Sequence, residues 1–261
     1  MPHLSRIRVY PVKSLDSLDL ESAEVLPAGG LSLDREWVMR SGGQAITGKT
    51  EQRTHRLRSA YERPATLELR EHGTDDGQRF DLETERDDAE AWLADYFGMD
   101  VSLDRDARGG FPDDTHAAGP TVIATATLEA VAEWYGGTVE DARRRLRPNL
   151  EIGGVEPFWE DRLYADRDSV RGFSIGEATF EGVNPCQRCV VPTRDPDTGA
   201  ETPGFREQFV QQREETLPEW ANEDWFDHYF RLMVNTRVPQ ETVGSVLDVG
   251  DEVEIGSVSP S

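Results

Sequence analysis

Cys186 and Cys189 are the only cysteines in the chain. They stand three apart in Asn184-Pro-Cys-Gln-Arg-Cys-Val-Val-Pro-Thr-Arg-Asp-Pro-Asp-Thr-Gly199. A pair so spaced has four chemistries open to it: a disulfide, half of a zinc site, a redox dithiol, or one working thiolate beside a structural neighbour. A structural zinc site needs four ligands, and no two of the histidines stand at His-x3–5-His spacing. A thioredoxin-like dithiol opens a helix in a βαβ unit. Here the pair follows an alternating strand, and Pro192 opposes a helix three residues later. Two inert cysteines in a loop stay open on these grounds, because cysteine packs as a small hydrophobe. Arg188 argues for more, since a neighbouring guanidinium favours the thiolate, which is the nucleophile and the ligand for soft metals. The turn Asp195-Pro-Asp-Thr-Gly199 folds the chain sharply back after it.

A second pattern needs a different context. Gly43-Gln-Ala-Ile-Thr-Gly48-Lys49-Thr50 satisfies G-x-x-x-x-G-K-[ST], the phosphate-binding loop. That loop needs a buried strand before it and a helix after it, so that backbone N–H groups meet the phosphate. The preceding strand is short and mostly polar, and the following Glu51–Ala60 has no wide apolar face. The expectation is a hairpin turn that happens to contain glycine and lysine.

Charge bounds the partners. The 261 residues carry 28 basic and 51 acidic side chains, for a net charge of −23. Nucleic acid and anionic membranes would meet a repulsive field. Only Lys13 and Lys49 are lysines; the other 26 basic residues are arginine. An acidic, lysine-poor surface suits a salty medium that screens self-repulsion, and it makes each remaining lysine worth questioning. No apolar run is long enough for a membrane helix, and the N-terminus lacks a signal-peptide pattern. A soluble cytoplasmic protein is expected.

The elements that must position these residues read as α+β. Short strands are expected at Arg6–Tyr10, Glu21–Leu26, Arg35–Arg40 and Ala65–Arg70, punctuated by glycine and proline as in a small barrel. Trp92, Leu93, Tyr96 and Phe97 share a helix face that Gly98 ends. Residues 106–120 are polar and rich in Gly and Pro, and divide an N-terminal β-rich domain (1–105) from a second domain (121–261). In the second, Thr121–Ala124 reads as a strand and Thr127 as the N-cap of a helix carrying Leu128, Val131, Ala132 and Tyr135. Thr138 and Asp141 form a capping box for another helix, which Pro148 ends. Strands are expected at Leu150–Ile152, Ser174–Ile175, Ala178–Val183, within Tyr229–Val238 and at Asp251–Ile255, with a polar helix over roughly 205–217.

The cysteine stretch resembles the motif of the MOSC family, and especially that of the mitochondrial amidoxime-reducing components: cysteine, one residue, Arg-Cys, a threonine, then Asp-Pro-Asp-Thr-Gly. Tyr10-Pro-Val-Lys-Ser14 and Leu33-Asp-Arg35 with Trp37 resemble the family's N-terminal β-barrel domain. Arg147-Pro-Asn149 resembles the R-P-N motif of the MOSC domain, and Val249–Val253 also fits. The resemblance implies a β-rich N-terminal barrel packed on a mixed β-barrel MOSC domain with short helices.

It also implies a cofactor and a chemistry. The second motif cysteine, here Cys189, would bind molybdenum carried by a molybdopterin. Lys13, Ser14, Arg35, Arg147 and Asn149 match positions that hold this anionic cofactor; Lys offers a point charge and Arg a bidentate fork. Gln187 and Arg188 adjoin the ligand, and Tyr229 matches a tyrosine near the cofactor. Thr125 or Thr127 would offer helix N-terminal donors to the phosphate. The reaction implied is reduction of small N-hydroxylated substrates. With no further cysteines for a cluster, the electrons are expected from a separate ferredoxin or flavoprotein reductase. A non-catalytic carrier of the cofactor, or of a persulfide on Cys189, stays open beside the enzyme.

Overall fold

The alternating start of the chain forms a strand, His3–Val9, that buries Leu4, Ile7 and Val9. One of its two partners comes from the second half of the chain. It pairs antiparallel with Leu150–Gly153 on one side and with Leu18–Leu20 on the other. The computed structural model, which describes residues 1–261, thereby places the first strand in one large eight-stranded sheet. The order across that sheet is Val253–Pro260, Ser169–Ile175, Ala178–Gln187, Arg231–Arg237, Val122–Ala124, Leu150–Gly153, His3–Val9 and Leu18–Leu20. Residues 106–120 divide the chain in sequence, but the first strand crosses that division in space.

Ser22–Glu24 also crosses the division, pairing antiparallel with Val246–Asp248; most of what remains of the N-terminal half is a β-rich module of two small sheets. One joins Gln44–Ala45, Trp37–Ser41 and Ser102–Arg105; the other joins Leu57–Glu62, Thr66–Glu71 and Gln78–Asp81. Helix α1, Arg86–Phe97, closes the module and stops at Gly98, which takes φ 68°. That left-handed geometry costs glycine no Cβ clash. Trp37, Met39, Leu57, Leu67, Leu69 and Leu93 share this module's core. The apolar faces of the large sheet make a second core, around Leu4, Ile7, Val122, Ile152 and Phe180.

Helices α2 (Thr125–Tyr135), α3 (Val139–Leu146) and α4 (Phe205–Glu215) cover the large sheet. The capping box of α3 forms as expected: Asp141 N donates to Thr138 Oγ1 and Thr138 N donates to the Asp141 carboxylate, both at 3.1 Å. Arg147 ends α3 with φ 55°. Pro148 disfavours the ordinary helical conformation in the residue before it.

Helix α2 corrects one expectation. It begins at Thr125 after Ala124, so Thr127 lies inside the first turn and is fully buried. No helix in the chain is long and apolar enough to cross a membrane.

Candidate functional site

The strand Ala178–Gln187 delivers the cysteines. Its register against Arg231–Arg237 shifts between Pro185 and Gln187. Such a bulge admits the proline and re-aims the residues beside it. The loop that follows is braced from both halves of the protein. Asp195 Oδ1 accepts from the backbone N of Asp197 (3.1 Å) and Thr198 (2.9 Å), and from Thr198 Oγ1 at 2.8 Å. This turn lifts Asp197 toward two guanidinium groups: Arg58 of the N-terminal module at 3.0 Å and Arg144 of α3 at 2.7 Å. Both arginines also donate to Pro196 O. Arg145 donates to Pro192 O (2.8 Å) and Arg194 O (2.6 Å).

The brace yields a pH-dependent prediction. The hydrogen bond from Arg144 outweighs modest burial and holds the Asp197 carboxyl below its ordinary 3.8. Its stabilisation is therefore present above the ordinary carboxylate range and fades as the pH falls through the lowered value. Asp197→Ala is expected to cost about 1 kcal/mol at neutral pH, discounted for the exposure of the pair, and less than that near pH 3. Urea midpoints at the two pH values check this; an equal cost at both would mean that the carboxylate's charge is not what matters.

The loop faces a cleft of about 670 Å³ between the two halves. Ten lysine or arginine side chains line it against four aspartates and no glutamate, in a chain whose net charge is −23. Six non-glycine residues have left-handed backbone, and four of them, Ser14, Arg35, Arg147 and Met233, line this cleft. Such residues cost about 1–3 kcal/mol each and gather where a site over-determines them.

Most of the sequence candidates come together here. Cys189 and Cys186 are free, half-buried and on the cleft wall. The Cys189 sulfur accepts only a weak contact from Val191 N at 3.5 Å. Arg188 does not turn to Cys189: Nη1 lies 3.3 Å from Cys186 Sγ, Nη2 donates to Leu146 O at 2.8 Å, and its buried Nε has no partner. Gln187 is exposed at the cleft. Arg147 donates to Leu15 O at 2.8 Å and lies over the Tyr10 ring at 3.9 Å, with no carboxylate partner. Burial lowers its pKa.

Asn149 is buried. Its Oδ1 accepts from Thr121 N and Oγ1 at 3.2 Å and from Arg35 at 3.4 Å, and its Nδ2 donates to Arg8 O at 3.1 Å. It ties the strand His3–Val9 to the cleft floor and keeps one amide hydrogen spare. Arg35 pairs with Asp34. Burial opposes the Arg35 charge, but Asp34 and Asp113 outweigh it and raise its pKa.

Four candidates sit elsewhere. Lys13 is absent from the cleft lining; it donates to Phe111 O and Pro112 O and pairs with Asp113 at 3.0 Å. Burial pushes the Asp113 carboxyl up, yet Arg35, Lys13 and Lys49 hold it down at about 2. Lys13 thus reaches the cleft only through Pro112 and Asp113, which line it. Thr127 is walled in: its hydroxyl donates to Glu160 at 2.8 Å and accepts from Phe158 N at 2.6 Å, so it offers nothing to a ligand. Thr125 is also outside the lining and contacts Ser5. Tyr229 stacks on Phe226 against the core of the large sheet.

Gly43–Thr50 is a hairpin turn, as expected. The strand Trp37–Ser41 turns back through Gly42 and Gly43, both with positive φ, and a 3-10 turn at Gln52–Arg56 follows. Its end nevertheless delivers Lys49 to the cleft. Sequence reasoning singled out Lys49 only through the phosphate-loop pattern, and it missed Arg58, Arg144, Arg145 and Arg194. One signal was available: Arg143-Arg144-Arg145 sits in the last turn of a short helix immediately before Arg147-Pro-Asn149. No group of three or more His, Cys, Asp and Glu side chains is placed to hold a metal, which leaves a zinc knuckle without ligands.

Residues 1–100 match the family described as the MOSC N-terminal beta barrel domain, and residues 116–254 match the MOSC domain. Among curated proteins, the chain is 25% identical over 245 residues to a molybdenum cofactor sulfurase of Oryza sativa subsp. japonica, covering 76% of this chain and 29% of that protein. It is 24% identical over 239 residues to mitochondrial amidoxime reducing component 2 of Bos taurus, covering 75% and 67%. It is 27% identical over 237 residues to mitochondrial amidoxime-reducing component 1 of Mus musculus, covering 75% and 66%. The chain thus spans under a third of the rice protein and about two thirds of the two mitochondrial ones.

Proposed function

The chain belongs to the MOSC domain family, and on that premise we propose that it is a molybdenum-dependent oxidoreductase. It would hold a molybdopterin in the cleft with Cys189 as the protein's metal ligand. It would reduce small N-hydroxylated compounds with electrons from a separate protein such as a ferredoxin or flavoprotein reductase. One observation carries the reading. Arg145, Arg147 and Arg188 line the same cleft as Cys189 and are held by backbone carbonyls without a carboxylate partner, although the chain has 51 acidic residues.

The residues present suit such a group. A half-buried thiol is a soft ligand for molybdenum, and a pterin dithiolene would complete the coordination, so no second protein ligand is required. The unneutralised guanidiniums, one with an orphaned buried Nε, offer forked donors for phosphate and pterin oxygens. When bound, the cofactor would supply two-electron oxygen-atom chemistry. The chain's own part is to anchor, to orient through Arg147 and Asn149, and to hold the cysteine loop still through Arg144, Arg145 and Arg58. The mitochondrial relatives' names, which specify amidoxime reduction, support the substrate class.

The test is purification from a host that makes the cofactor, followed by molybdenum and oxidised-pterin assays and turnover of benzamidoxime with a reduced donor. Near one molybdenum and one pterin per chain, with turnover, supports the reading. Protein free of both, from a host shown to supply them, would sink it. A second reading, a carrier of the cofactor or of a persulfide on Cys189, draws on the likeness to the rice sulfurase and on both thiols being free. Cofactor that dissociates readily, with no turnover, would favour it.

A further inference from the structure

The ten cleft cations divide into three sets. Arg8, Arg35, Arg58, Arg144 and Arg231 are each paired with a carboxylate. Arg145, Arg147 and Arg188 are fixed by backbone carbonyls. Lys49 and Arg194 line the cleft yet have neither an ion pair nor a side-chain hydrogen bond. The two come from different halves of the protein, one from the hairpin turn and one from the cysteine loop.

The segments that carry them meet at His55 on one lip of the cleft. Gly48, the neighbour of Lys49, accepts from His55 Nε2 at 3.2 Å, and the charge of Arg194 reaches the same imidazole. The turn after Arg194 packs there too: a Cβ on Gly199 would meet Gln52 at 2.7 Å and His55 at 3.1 Å. The lysine's backbone is firm. Lys49 N donates to Thr47 Oγ1 at 3.3 Å, and Thr50 N donates to Thr47 O at 3.0 Å.

Burial lowers the His55 pKa, against the Gly48 bond, and the charges of Arg194, Arg147 and Arg58 add to it. Lys49 is exposed and Arg194 half-buried, as fits groups that meet a ligand at the mouth. Asp113 feels the charge of Lys49 but pairs with Lys13 instead, and Arg194 has no ion pair, so both head groups stay available to a ligand.

We infer that Lys49 and Arg194 form a subsite for a carboxylate on the substrate, so that the protein prefers N-hydroxylated compounds bearing a second, anionic group. This rests on the reading that the inner cations and Cys189 hold the cofactor. A lysine point charge beside an arginine fork matches a carboxylate. The cleft's charge would also draw anions through the repulsive field around the rest of the surface.

The experiment compares benzamidoxime with its 4-carboxylate on the cofactor-loaded protein, by calorimetry at fixed ionic strength, with benzoate as a third probe. The carboxylate compound is expected to bind about tenfold more tightly than the neutral one, and benzoate to bind measurably. In Lys49→Gln/Arg194→Gln the ratio is expected to fall to about one and benzoate binding to disappear, with molybdenum and pterin content unchanged. Lys49→Arg alone is expected to retain the preference. Equal affinity for the two compounds in the unaltered protein would overturn the inference, as would loss of pterin in the double variant, which would place the pair in the cofactor cradle. Benzoate binding depends on no turnover. Failure of the reductase reading, seen as bound cofactor with no reduction of either compound, is therefore distinct from failure of the subsite.

Discussion

Cys189→Ser is expected to remain folded while losing molybdenum and reductive turnover together. The sulfur's one hydrogen bond is the weak approach of Val191 N at 3.5 Å, which a hydroxyl can accept as well. The side chain is half-buried and supports no core, so the stability change is expected within about 0.5 kcal/mol. The metal is another matter. Soft thiolate suits molybdenum carried on a dithiolene, and a serine hydroxyl is a poor substitute. Residues that merely support a metal ligand cost about 10–100-fold when altered, so removing the ligand is expected to reduce turnover by more than about a hundredfold.

Cys186→Ser is the matched control. Its sulfur takes Arg188 Nη1 at 3.3 Å, and it is expected to keep the metal with turnover reduced only a few-fold. Metal analysis, pterin fluorescence and urea midpoints on both variants make the comparison. Retention of molybdenum by Cys189→Ser with its loss from Cys186→Ser would reverse the ligand assignment.

What was legible in the sequence was local. Leu128, Val131 and Ala132 announce a helix by spacing alone, Thr138 and Asp141 cap their own helix, and Pro148 stops it whatever surrounds it. The hairpin at Gly43 was legible for the same reason: without a helix after Lys49 the phosphate loop has no floor. The cysteine motif was legible because its turn is built from its own residues, with Asp195 accepting three hydrogen bonds within the loop.

What was hidden depends on partners far along the chain. Thr127 reads as an N-cap, but Glu160, 33 residues on, supplies the carboxylate that its hydroxyl meets. Lys13 reads as a cofactor contact, and a loop 100 residues on supplies Asp113 to hold it. Among 26 arginines, no local pattern says which will pair with carboxylates and which will stay open to the cleft. That division follows from the fold, and the site's electrostatics follow from that division.

Arg213→Met is expected to be the most damaging single change to stability. Arg213 on α4 and Asp161, in the 3-10 turn Trp159–Leu163, are paired with 0% and 1% of their side chains exposed. The guanidinium lies between the rings of Phe158 and Phe226, at 4.7 and 5.1 Å. Removing it leaves a carboxylate stranded in the core, an error of about 3–5 kcal/mol. Methionine fills much of the space, so the cost is chiefly the unpaired charge. Arg213→Met/Asp161→Leu is therefore expected to recover most of the loss. A double variant as unstable as the single would assign the cost to packing between the two rings instead.

The neighbouring Glu160 gives the cluster a pH signature. Burial, and then the charge of Asp161, hold its carboxyl above its ordinary 4.5. The folded state therefore binds this proton more tightly than the unfolded chain does. The stability it contributes is fully present below 4.5 and is lost as the pH climbs through the raised value. Glu160→Gln keeps an acceptor for Thr127 Oγ1 and Ala124 N and carries no charge. Its denaturation midpoint is expected to stay level between pH 5 and pH 9 where that of the unaltered protein declines. Parallel slopes for the two proteins would mean that Glu160 is ionised in the folded state throughout, with Arg213 serving both acids.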